Sequence, residues 1–181
     1  VFIGVLAAAV VGFTVQLVMK HGDFSLLNWR MVKVIGLMGV MYAIGVWDDI
    51  KDVSATLRFM VEILVVWAMI LLLGVEINDF HGLWGIHQIP DAVSVPLSLI
   101  AGVGLMNAVN MIDGVDGYCS SFGIMACTAY AILFAYAGDL QMFALTLIGI
   151  GALLPFFFHN VFGRTSKMFL GDGGSLMLGT V

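Results

Sequence analysis

Asp48, Asp49 and Asp52 stand close together in the stretch Trp47-Asp48-Asp49-Ile50-Lys51-Asp52-Val53-Ser54, and Arg58 follows. Two readings apply. Asp and Ser end one helix and cap the next, and acids favour helix N-termini; that accounts for one or two of these residues. Neighbouring carboxylates repel and are costly to desolvate, so the stretch also suits a general base or an indirect metal contact, with Arg58 available to a phosphate. A second stretch runs Asn107-Ala108-Val109-Asn110-Met111-Ile112-Asp113-Gly114-Val115-Asp116-Gly117. Asn107, Asn110 and Asp113 recur every third residue, which on a helix spreads them over about 120° of one face. Such side chains serve either as glue between membrane helices or as ligands. Gly114 and Gly117 suit a tight turn with close approach to the backbone. A third stretch, Lys167-Met168-Phe169-Leu170-Gly171-Asp172-Gly173-Gly174-Ser175, precedes an apolar run. Asp172 or Ser175 is a plain N-cap, or the glycines form a helix start whose free N–H groups accept phosphate. Phe169 is a lipid or core contact, or a flat platform for a base.

Together the three stretches supply several acids, two amides, Arg58, Lys167 and a glycine-rich helix start. Mg²⁺ takes one or two carboxylates, keeps waters and lets substrate phosphates complete its octahedron. The set therefore suits phosphoryl transfer, in which catalysis is mostly positioning and charge neutralisation.

The elements that must position these residues lie in lipid. The 181-residue chain is 61% hydrophobic and only 10% charged, with a mean hydropathy of +1.08. A soluble domain carries about 25% charged residues, so this chain cannot cover a globule with polar surface. Spans are expected at Val1–Met19, Val34–Trp47 (with Met31 to Lys33 at its start), Phe59–Val75, Val93–Ile112, Tyr118–Ala137 and Leu140–Phe158, and a seventh helix is expected to begin near Gly174. The fold class is all-α: a polytopic transmembrane bundle of about six spans plus the start of a seventh. Val1–Met19 has no initiator Met or basic n-region, so it reads as a span entered partway rather than a signal peptide. The chain is expected to be a fragment of one membrane domain, truncated at both ends. Because chain direction alternates, the loops after the second, fourth and sixth spans share one face, and they hold six of the twelve acids. The acid-rich face carries Lys51, Arg58, Arg164 and Lys167 against Lys20, Arg30 and Lys33 opposite, which orients the acids inside by a single charge. A net charge of -5 gives no reason to expect nucleic acid.

The stretches Asp48 to Asp52, Asn107 to Gly117 and Phe169 to Ser175 resemble the polyprenyl-phosphate N-acetylhexosamine-1-phosphate transferases, of the glycosyltransferase family 4 type. The resemblance covers nearly the whole chain, with the motifs in family order on alternate loops. Asp52, and Met111-Ile112 before Asp113, make it more similar to the bacterial undecaprenyl-phosphate N-acetylglucosamine-1-phosphate transferases than to the phospho-N-acetylmuramoyl-pentapeptide transferases. Tyr118 departs from the Leu common to both. The resemblance implies a single transmembrane transferase domain over residues 1–181. It implies an enzyme that moves an N-acetylhexosamine-1-phosphate from a UDP-sugar to undecaprenyl phosphate, with Mg²⁺ (or Mn²⁺), at the cytoplasmic face of the plasma membrane. The step would open the synthesis of a cell-envelope polysaccharide such as lipopolysaccharide, O-antigen or teichoic acid, and a homodimer is compatible with it.

By position, the resemblance puts Asn110 and Asp172 on the metal and Asp116 and Phe169 on uracil, with Asn107, Gly173 and Ser175 also on the substrate side. Arg58 would meet a phosphate, and Asp48 and Asp49 would form the acidic pair near the lipid phosphate. Asp113 would lie beside the nucleotide. A phosphate monoester with its second pKa near 6 is already mostly dianionic at pH 7. Asp48 and Asp49 are therefore expected to organise the ionic network rather than abstract a proton. The family's sugar-selecting basic loop would follow Val181. His21, His81, His87 and His159 fit no metal spacing. Cys119 and Cys127, about 12 Å apart on one helix, cannot pair. Glu62 is expected to pair with Arg58 at i,i+4. The rivals are an ion-coupled transporter, whose acids would sit near the bilayer midplane, and a purely structural bundle.

Overall fold

The computed structural model describes residues 29–163 and 168–181. The expected span Val1–Met19 lies outside them, as do His21, Arg164 and Lys167. The described residues hold five helices long and apolar enough to cross a membrane: α1 Trp29–Lys51, α2 Ala55–Leu73, α3 Asp91–Ile112, α4 Tyr118–Ala137 and α5 Leu140–Phe162. A shorter α6, Gly171–Gly179, follows. Among the described residues the strand content is one isolated bridge, Asp79 with Gln88, so the all-α polytopic architecture is as expected. Leu64, Leu71, Ile100 and Met125 are each about two-thirds exposed or more, as lipid-facing side chains of a bundle are.

The helix ends differ from expectation in ways that matter to the site. α1 does not stop at Trp47 but runs on through Asp48 and Asp49 to Lys51. It ends where Asp52 turns left-handed at φ 47. Ser54 then caps α2, its Oγ accepting from Leu57 N–H at 3.4 Å, and Gly74 at φ 66 closes that helix. Arg58 thus lies in the first turn of α2 rather than in a loop. α3 and α4 fall where the hydropathy put them. α5 runs four residues beyond the expected Phe158, starting from Asp139, whose Oδ1 accepts from Met142 N–H at 3.1 Å. Pro96 and Pro155 lie inside continuous helices. α6 begins at Gly171, ahead of the expected Gly174, so Asp172 and Gly173 belong to its first turn.

α6 packs between α1 and α3, α2 packs on both α1 and α3, and α5 pairs with α4. Met41, Ile44, Val65, Val66, Val103, Met106 and Leu176 form the shared core. The α1–α6 crossing is backbone on backbone: a Cβ on Gly45 would sit 2.5 Å from the Asp172 carbonyl carbon and from Gly173 Cα. Gly45→Ala is therefore expected to destabilise the fold by about 1–3 kcal/mol, as overpacking does. The check is the thermal midpoint of the purified full-length protein in detergent; an unchanged midpoint means the crossing gives way freely. At the opposite end of the bundle Arg30 pairs with Asp139 at 3.3 Å. There too the Lys33 ammonium donates to the Leu72 carbonyl at 3.1 Å, reaching the end of α2 as a snorkelling lysine does. Cys119 and Cys127 are free thiols, both buried.

Candidate active site

The last turns of α1 and α3 and the first turns of α2 and α6 converge at one end of the bundle. Asp49 lies in the last turn of α1, where an acid is unfavourable against its own helix dipole. Its carboxylate is instead turned onto the start of α6: Oδ1 accepts from Asp172 N–H at 3.0 Å and Oδ2 from Gly173 N–H at 3.3 Å. Asp113, at the end of α3, does the same one step earlier. Its Oδ1 accepts from Leu170 N–H at 3.2 Å and its Oδ2 from Gly171 N–H at 3.0 Å. Four successive amides that open a helix, normally orphaned, are thus held by two carboxylates from other helices. Burial pushes the Asp113 carboxyl up from its ordinary range, against the pull of the Leu170 and Gly171 amides.

The Gly173 N–H, expected to belong to a phosphate-accepting nest, is held here by Asp49, because the first turn of α6 needs acceptors to be buried at all. Ser175, expected to face substrate, is wholly buried. It accepts from Asn110 Nδ2 at 2.9 Å and donates to the Gly171 carbonyl at 2.9 Å.

Asp172 is the junction of the cluster. Its Oδ1 accepts from Asn110 Nδ2 at 2.6 Å and its Oδ2 from Arg58 Nη1 at 3.5 Å. Arg58 Nη1 also donates to Asp48 Oδ2 at 3.0 Å, and Asp48 Oδ1 accepts from Val53 N–H at 2.8 Å. The geometry brings Asp48, Asp49, Arg58, Asn110, Asp113 and Asp172 together, although they span more than a hundred residues of sequence. Asp116 is exposed in the α3–α4 turn, and Phe169 is 57% exposed just before α6. Asn107 does not join the Asp172 cluster. It donates to Glu62 Oε2 at 2.5 Å and to the Val103 carbonyl at 2.9 Å, so its helical register aims it at α2 instead. Glu62 lies 3.6 Å from Arg58 Nε, the i,i+4 pair expected.

Sequence reasoning missed Asn160, a buried amide near the end of α5. With its amide oriented to satisfy both partners it donates to the Met168 carbonyl at 3.2 Å and accepts from Gly117 N–H at 3.1 Å. It thereby ties the α3–α4 turn to the approach to α6. Its only local signal was an amide beside a run of phenylalanines.

Among the described residues no cluster of three or more His, Cys, Asp or Glu side chains could hold a metal ion. A protein-only cage is therefore not what this donor set offers. It fits Mg²⁺ in the sparser manner, one carboxylate and one amide with phosphates and water filling the rest. Asp172 and Asn110 are the residues that would fill those two places, since the oxygens of Asp49 and Asp113 are committed to backbone. Beside the cluster, Phe59, Ile63, Leu99, Ile100, Val103, Gly104 and Asn107 line an apolar groove of about 460 Å³ between α2 and α3. A second cavity of about 360 Å³, lined by Arg58, Glu62, Phe59 and Asn107 among others, adjoins it.

Fold and site define a polytopic helical membrane protein with a charged, amide-bearing cluster at one end of its bundle. The chain belongs to glycosyl transferase family 4, whose model matches residues 31–181. It is 28% identical over 180 residues to the probable undecaprenyl-phosphate N-acetylglucosaminyl 1-phosphate transferase of Bacillus subtilis (strain 168), covering 99% of this chain and 46% of that protein. It is 34% identical over 155 residues to the phospho-N-acetylmuramoyl-pentapeptide-transferase of Staphylococcus carnosus (strain TM300), covering 81% of this chain and 47% of that one. It is 28% identical over 144 residues to the undecaprenyl-phosphate alpha-N-acetylglucosaminyl 1-phosphate transferase of Yersinia pestis, covering 78% and 40%. The chain thus spans about half the length or less of these relatives.

Proposed function

We propose that this protein transfers N-acetylglucosamine-1-phosphate from UDP-N-acetylglucosamine to undecaprenyl phosphate, releasing UMP, at the cytoplasmic face of the plasma membrane. The observation that carries the reading is that Arg58, bonded to Asp48 and to Asp172, lines the cavity that adjoins the apolar groove between α2 and α3. A substrate with a phosphate head and an isoprenoid tail suits that junction: the tail against Phe59, Leu99 and Val103, the head near Arg58. The names of the Bacillus and Yersinia relatives support the same substrates.

In this reading an oxygen of the lipid phosphate attacks the β-phosphorus of the nucleotide sugar. The anhydride bond to the α-phosphate breaks, and UMP leaves with that electron pair. One phosphoanhydride replaces another, so no ATP is consumed. Arg58 supplies fixed positive charge to the phosphates. Asp48 orients Arg58 through its 3.0 Å bond, and Asp49 and Asp113 fix the start of α6 and hence Asp172. Asp172 and Asn110 would hold Mg²⁺, which when bound neutralises charge on the diphosphate. Exposed Phe169 offers a face for uracil stacking, and Asp116 an acceptor for its N–H. No side chain need remove a proton, because the acceptor phosphate is already mostly dianionic.

Transfer of phospho-muramoyl-pentapeptide is the second reading, favoured by the 34% identity to the Staphylococcus relative. The test is radiolabel transfer into lipid by membranes containing the full-length protein, offering each UDP-sugar in turn, with and without Mg²⁺. Labelled lipid from UDP-N-acetylglucosamine that needs Mg²⁺ is the expected result. Label from the muramoyl-pentapeptide donor alone would transfer the assignment to the second reading.

A further inference from the structure

Glu62 is the one carboxylate buried in the middle of the machinery that the reaction above does not use. It sits on α2, a helix with a mean hydropathy of 2.2, and is 0% exposed. Its Oε2 accepts from Asn107, whereas Oε1 has no hydrogen bond and faces Arg58 Nε at 3.6 Å. A carboxylate in such a place costs desolvation that one long ionic contact and one hydrogen bond offset only in part, and an apolar side chain of similar volume would serve folding at least as well. The two partners point to another use. Arg58 is gripped from opposite sides, by Glu62 at Nε and by Asp48 and Asp172 at Nη1. Without Glu62 the guanidinium, on a flexible stem, is held at Nη1 alone, and its Nε edge is free to swing away from the groove. Asn107 is likewise held away from Asn110 and Asp172 and built into the wall of both cavities between α2 and α3.

We propose that Glu62 is a positioning residue for the acceptor side of the site: it holds Arg58 extended between Asp48 and the groove and fixes Asn107 in the groove wall, so that the head of the lipid phosphate meets an oriented guanidinium. The inference rests on the transferase reading above. It separates the two halves of the site, with Asp172 and Asn110 serving the nucleotide side and the Glu62–Arg58–Asn107 set serving the lipid side.

The test is steady-state kinetics of the full-length protein in detergent or nanodiscs, varying UDP-sugar and polyprenyl phosphate separately, for Glu62→Gln and Glu62→Leu. Gln keeps the size and an acceptor for Asn107 but removes the negative charge that faces Arg58; Leu removes both while remaining suited to an apolar helix. The expected result is a fall in kcat/KM for polyprenyl phosphate of about 10–100-fold, as for loss of a group that orients a contact residue, larger for Leu than for Gln. KM for the UDP-sugar stays within about twofold, since Asp172 keeps its bond from Asn110 and its Nη1 contact with Arg58 does not pass through Glu62. Combining Glu62→Gln with Arg58→Lys should cost little more than Arg58→Lys alone, because the two act through one contact. Equal losses for both substrates, additive losses in the double variant, or unchanged kinetics in both Glu62 variants would each overturn the proposal. Wild-type protein that transfers no sugar phosphate to polyprenyl phosphate would instead overturn the transferase reading itself.

Discussion

Asp172→Asn is expected to lower sugar-phosphate transfer by about 10³-fold, the size of loss seen when one fixed charge-stabilising group is removed from a transition state. The structure makes this substitution unusually clean. The backbone N–H of Asp172 is what Asp49 holds, and an Asn side chain leaves that bond in place. The new amide oxygen can still accept from Asn110, which donates to Oδ1 at 2.6 Å. What disappears is the negative charge facing Arg58 at 3.5 Å, on the one of the four aspartates Asp48, Asp49, Asp113 and Asp172 whose carboxylate accepts no backbone hydrogen bond among the described residues. Thermal stability should therefore stay within about 2 °C of wild type while UMP release collapses and its Mg²⁺ dependence shifts to higher concentration. Measured UMP release within tenfold of wild type at saturating Mg²⁺ would remove Asp172 from the site.

Asp49 is expected to behave in the opposite way, failing through structure. Asp49→Ala strips acceptors from two amides in the first turn of α6, a loss of about 1–3 kcal/mol on the scale of lost helix caps and unsatisfied amides. The lower half of that range applies because Asp49 is an exposed residue and water can replace it. Asp49→Asn should fall between, since an amide oxygen accepts where its nitrogen cannot. Activity should track the thermal midpoint across wild type, Asn and Ala. A general base would give another pattern: Asn and Ala equally inactive, with midpoints unmoved. Thermal unfolding in detergent alongside transfer rates separates the two. Asp113, which holds the preceding two amides from a buried position, should show the same trend with less help from water.

These contrasts show how unevenly the chain is legible. Hydropathy alone places α3 and α4, because a long apolar run in lipid has no other way to satisfy its backbone. It misplaces the ends of α1 and α6, which are the parts that build the site. Asp48 and Asp49 look like loop residues, since two acids in a last turn oppose the helix dipole. That local penalty is met by the amides of α6, more than a hundred residues onward, and no window of sequence contains both partners. The glycines near Asp172 look like an open nest for the same reason: the carboxylates that fill it come from elsewhere.

From its residues alone, then, the chain is a helical membrane protein whose acids and amides gather at one end, because alternating spans fix which loops share a face whatever the packing. The three stretches and their order carry the family. Which oxygen each donor faces was decided only by packing. The Gly45–Gly173 crossing brings α6 against α1 closely enough for Asp49 to reach its amides. The register of α2 on α3 turns Asn107 to Glu62. Side-chain partners across helices depend on crossing angle and distance at the ångström scale, and those are properties of the packed core as a whole, which spacing along the chain does not contain.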